Sequence, residues 1–112
     1  LSMWENEKED EKVNDIKKLL RKCSRWAVAA EQDTSPLIAL LHANYAAGFL
    51  WALKTIASDT EIEKAASIDI LEFTKKIVNI QDKSTKNVSS LCPEFIGVSD
   101  PFLLEIAGQG DS

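Results

Sequence analysis

The sequence predicts an all-α fold. It reads as an antiparallel bundle of three long helices, with a short helix after the second and a short C-terminal helix packed over the bundle. Apolar residues recur at alternating spacings of three and four along most of the chain, the period of a helix with one buried stripe. The 112 residues include only four glycines and three prolines, beside many Ala, Leu, Glu and Lys, so turns are few. Apart from Gly48, those seven residues fall at Pro36, Pro93, Gly97, Pro101, Gly108 and Gly110, where elements begin or end.

The first helix is expected from about Glu7 to Glu31. Val13, Ile16, Leu20, Cys23, Ala27 and Ala30 form its inward stripe, widened by Leu19 and Trp26. Asp33-Thr34-Ser35-Pro36 is a restart signal. Ser35 can accept from the free backbone N–H groups of the next helix, and proline at the first helical position has no N–H to leave unsatisfied.

The second helix, Pro36 to about Ala57, opens with eighteen uncharged residues up to Leu53, among which only His42 and Asn44 are strongly polar. A helix apolar nearly all round must be covered by its own chain, by a partner or by lipid. Steps of 100° divide it into three faces. Ala39, Ala43, Ala46, Leu50, Leu53 and Ala57 make a seam of mostly small side chains for close helix packing. Ile38, Leu41, His42, Tyr45, Phe49, Ala52 and Ile56 are expected to be the bulky half of the core. The remaining face carries Leu37, Leu40 and Trp51 among more polar neighbours.

Ser58-Asp59-Thr60-Glu61 offers overlapping capping boxes, Ser58 with Glu61 and Thr60 with Glu63. A second helix about 33 Å long is matched by a return helix that starts near Ile68. A short helix over Thr60–Ala66 is therefore expected, with a break at Ser67, before the third long helix from Ile68 to about Ser90. Cys92-Pro93 ends that helix, because the residue before proline is pushed out of the α region. Asp100-Pro101 then starts Phe102–Ala107, which Gly108 stops. Residues 1–112 make one domain, with 1–6 and 108–112 expected to be mobile.

Composition narrows the function without naming it. A net charge of −5 works against general attraction to nucleic acid or anionic lipid. No apolar segment precedes the acidic run Glu5–Glu11, and two cysteines suggest free thiols in a reducing compartment, so the expected location is the cytoplasm. Eighteen uncharged residues reach the lower limit for a membrane span. A span would place His42 and Asn44 near mid-membrane and leave the stripes of the flanking helices uncovered, so none is expected.

No catalytic, cofactor-binding or metal-binding residue is assigned, and no cofactor is expected. Phosphate-binding glycine loops, nucleophile elbows and zinc-type cysteine pairs are all missing from the sequence, as are the Glu-x-x-His pairs of helical metal sites. Cys23 and Cys92 are about 12 Å apart in register, beyond the reach of a disulfide.

Three surfaces remain. Leu37, Leu40 and Trp51 form a candidate interface, since two flanking helices do not enclose every side of the second; this face is covered either by the C-terminal Phe95-Ile96 and Phe102–Ile106 segments or by a second protein, and both can hold in part. The leading expectation is accordingly an interaction or assembly module that self-associates or binds another helical protein. The alternative is a small-molecule-binding protein or enzyme with a pocket between helices at His42, Tyr45 and Trp26. The third reading is a nucleic-acid-associated regulator that uses Lys18, Lys22 and Arg25 as an anion-binding patch. The usual solvated face of a helix accounts for these cations equally well, and no exposed aromatics are interleaved with them for base stacking.

Overall fold

A computed structural model describes residues 3–91 and 101–108, except for the side chains of residues 3–5 and 104. The described residues form five helices and no strand: α1 (Met3–Gln32), α2 (Pro36–Ile56), α3 (Asp59–Ala66), α4 (Ile70–Leu91) and α5 (Pro101–Gly108). Expectations for Cys92, Pro93, Phe95-Ile96, Asp100 and the last four residues lie outside this description.

Three residues connect α1 to α2. Ser35 caps α2 by accepting from the Ile38 N–H at 3.5 Å, and Pro36 takes the first helical position. At the next corner the Ser58 box forms. Ser58 Oγ accepts from the Glu61 N–H at 3.1 Å, while Glu61 Oε1 accepts from the Ser58 N–H at 3.0 Å. Helix α3 therefore starts one residue earlier than expected, at Asp59.

The break at Ser67 is sharper than a kink. Ser67 lies in the left-handed region at φ 55° and closes α3 through its N–H to the Glu63 carbonyl. Asp69 then caps α4, its Oδ1 accepting from the N–H groups of Leu71 and Glu72. With Asp69 as the cap, α4 begins at Ile70 and not at Ile68.

Helices α1 and α2 are antiparallel: Asp33 meets His42, Trp26 meets Tyr45 and Lys22 meets Phe49. On the other flank Gln81 of α4 donates to Asn44 of α2 at 2.9 Å. The main core joins Ile16, Leu20, Cys23 and Ala27 to Ala46, Ala47, Leu50 and Leu53, and closes with Ile62, Ile70 and Ile77. Leu50, Leu53, Ile62 and Ile70 are wholly buried, and each contributes about 2 kcal/mol by leaving water. The small-residue seam of α2 faces this core, as its spacing implied.

Packing among the long helices is uneven. Helix α2 packs extensively on α1 and well on α4, whereas α1 and α4 touch only sparsely. Helix α3 props one end, with Ile62 in the core and Lys12 of α1 paired to Glu61 at 2.6 Å. The 30-residue α1 is about 45 Å long against about 32 Å for the 21-residue α2, so its first turns run on past the end of its neighbour.

Candidate interaction surface

The outer side of α2 is open along its whole length. Leu37, Ile38, Leu41, Tyr45, Trp51 and Ile56 are each between 41% and 54% exposed. Between them lie the exposed Asn44, Gly48, Ala52 and Thr55. Together these residues span roughly 140° of the helix, directly opposite the buried seam. Leu37 and Trp51 of the expected interface lie on this surface, and Leu40 is half-buried at its edge.

The surface is broader than the sequence suggested. Ile38, Leu41, Tyr45 and Ile56 were expected in the bulky half of the core, yet they face outward. The physical reason is that α1 and α4 close on the alanine-rich seam, where small side chains let backbones approach, and the larger side chains are left on the far side. Six side chains leaving roughly 100 Å² each make an apolar patch of about 600 Å², at the upper end of what a monomer displays.

Beside this patch the structure brings the expected pocket residues together. The Trp26 ring is tilted by 40° against His42 at 4.9 Å between centres and meets Tyr45 edge-on at 5.1 Å, while His42 and Tyr45 are 6.2 Å apart. The histidine has a partner that its helical neighbours did not reveal: Asp33, in the corner before α2, accepts from Nδ1 at 2.6 Å. Both groups are largely shielded, with 21% and 24% of their side chains exposed. The pair ties the corner to the second turn of α2, and the rings pack against one another at contact distance. No pattern in the sequence marks the pair, because the pitch of the turn that brings Asp33 to His42 is not written in local spacing.

Lys18, Lys22 and Arg25 are all exposed, and none is in an ion pair among the described residues. Lys22 Nζ lies 6.0 Å from the centre of the Phe49 ring, so the cationic strip borders the α2 patch on its α1 side. On the opposite side Lys54 Nζ sits 5.8 Å from the Trp51 ring and 3.8 Å from Asp59. Among the described residues no group of three or more His, Cys, Asp or Glu side chains could hold a metal ion. Cys23 is a free thiol, fully buried, and burial pushes its pKa up to about 12.

By length and composition α2 is a candidate to cross a membrane, but a third of it is buried in this fold, against helices whose own stripes close on it. It makes no clear span. In α5 the side chains of Phe102, Leu103 and Ile106 are mostly exposed. Compared with known proteins, the chain matches no family model, no curated protein and no solved structure.

Proposed function

We propose that this chain is a helical assembly module that self-associates through the outer face of α2. One observation carries the reading: the apolar side of the central helix stays open from Leu37 to Ile56. A patch of about 600 Å², with Gly48, Ala52 and Asn44 filling the gaps, approaches the roughly 800 Å² that each partner contributes to a standard interface. A second copy is the most economical cover, since one patch then satisfies both chains. Buried Cys23 as a free thiol supports the reducing, cytoplasmic setting that belongs to the same proposal.

The pocket reading has weaker support, because Trp26, His42 and Tyr45 already fill each other's contact space. Solution mass tests the proposal. Light scattering at micromolar concentration should give a dimer or larger for the wild type. Leu41→Glu, in the middle of the patch, should be monomeric with an unchanged helical circular dichroism spectrum. A wild-type chain that stays monomeric at 100 µM overturns the proposal.

A further inference from the structure

We infer that the groove between α1 and α4, across the core from the α2 patch, is the docking site for an acidic amphipathic helix of another protein. Three concavities of about 420 to 430 Å³ each line this side of the molecule. They form one channel, because Ser24 and Phe73 border two of them while Glu31, Asn79 and Ile80 join the third. The channel follows α1 from Lys17 to Glu31, about 21 Å or four helical turns.

Its shape follows from the uneven packing. Helices α1, α2 and α4 are three sides of a four-helix arrangement, and the sparse contact between α1 and α4 leaves the place of a fourth helix. Leu20, Ala27 and Ile77, all buried, and the half-buried Phe73 make the floor apolar along its middle, beside the 49% exposed Val28, while Asn79, Ser84 and Asn87 make it polar toward the α1–α2 corner.

Charge selects the occupant. Lys17, Arg21, Lys76 and Lys83 line the channel, all exposed and none in an ion pair among the described residues. Against them stand Glu31 and Asp33, and the second is already engaged by His42. A chain of net charge −5 thus gathers a positive rim around one channel whose middle is apolar. The complement is a helix of about four turns with a leucine-type stripe flanked by carboxylates. Helix α5 of this chain is too short for the channel at eight residues, and its sequence carries a single acid, Glu105.

The test is fluorescence anisotropy on the full chain with three labelled probes. One is a sixteen-residue helical peptide with leucines at i, i+3 and i+7 and glutamates beside them. The second has lysines in place of the glutamates, and the third is a sixteen-nucleotide single-stranded DNA. The acidic peptide should bind saturably and weaken as NaCl rises from 50 to 300 mM. Val28→Glu and the double variant Lys76→Glu, Lys83→Glu should each weaken it tenfold or more. Leu41→Glu should leave it unchanged, which separates this inference from self-association through α2. All substituted positions are exposed, and circular dichroism verifies the fold of each variant. The inference is overturned by no saturation at 200 µM, or by equal binding of the lysine peptide. DNA binding that is lost on lysine reversal but indifferent to Val28→Glu also overturns it, and assigns the rim to phosphates.

Discussion

Gly48 is the sharpest probe of the α2 surface, because a single methyl group there should move two observables in opposite directions. It sits in the interior of α2, near the middle of the open face, where glycine destabilises a helix by about 1 kcal/mol relative to alanine. The isolated chain provides no steric reason for it, since a Cβ built at Gly48 meets nothing within 4 Å. Gly48→Ala should therefore stabilise the monomer by about 1 kcal/mol, raising its melting temperature by about 4 °C. In the proposed dimer the same methyl would fall where the two helices approach most closely. Overpacking costs about 1–3 kcal/mol at each of two symmetric sites, which weakens the dimer by a factor of about 30 to 10⁴. Sedimentation equilibrium measures the second effect. Urea unfolding measures the first at a protein concentration low enough that the monomer dominates, because association adds to apparent stability. A Gly48→Ala chain that associates as tightly as the wild type refutes close approach at this position. Failure to gain stability refutes the account of Gly48 as an unopposed helix-interior glycine.

Four further outcomes follow from local chemistry. In a Cys92→Ser background at pH 8, about one Cys23 in ten thousand is thiolate, against about one in ten for a thiol with the ordinary pKa of 9.0. Ellman's reagent should thus label native Cys23 only through unfolding, and rapid labelling without denaturant would contradict its burial. The same shift sets a pH dependence. Below pH 9 both states hold the proton, while between 9 and about 12 the unfolded thiol ionises and the folded one does not, so stability falls as pH rises through that window. Urea midpoints of wild type and Cys23→Ala at pH 8 and 10.5 should diverge accordingly. Glu61 is held down to about 2, first by the hydrogen bond from Lys12 and then by the Ser58 N–H. Its contribution is present above about pH 4.5 and disappears as pH falls toward 2. Lys12→Ala should move the Glu61 carboxyl resonance midpoint upward in an NMR titration. Ser67→Gly should add about 0.5–1 kcal/mol in urea unfolding by relieving the left-handed backbone at φ 55°.

The sequence was most informative where local chemistry decides. Ser35-Pro36 and the Ser58–Glu61 box mark helix starts by hydrogen-bonding capacity alone, and both are used as written. The stripe from Ile16 to Ala30 is legible because α1 is polar elsewhere, so its period has contrast. Helix α2 lacks that contrast. With apolar residues on every side, its period does not tell which face is inward, and Ile38, Leu41, Tyr45 and Ile56 were placed inside although they face outward. Leu37 and Trp51 were legible as excess apolar surface; the extent of that surface was not. The Asp33–His42 pair was hidden for a different reason, as its partners sit on either side of a chain reversal whose pitch the sequence does not encode. The α1–α4 channel depends on the splay of two helices that both prefer α2, which is a property of three bodies and not of any one pattern.

The tight α1–α2 corner also bears on how the chain reaches this structure. A three-residue connection, a proline-primed first turn and an aspartate bonded to the second turn place α1 and α2 side by side at little entropic cost of loop closure. Their mutual contacts are near in sequence, so this hairpin is expected to form early. Helix α4 arrives afterwards, across the α3 prop and the strained Ser67 bend. Amide protons of α4 should then exchange with solvent ahead of those in the α1–α2 hairpin, as a separate opening unit. Such an opening would uncover the inner seam of α2 on the α4 side as well, so that the central helix would present two apolar sides to water instead of one.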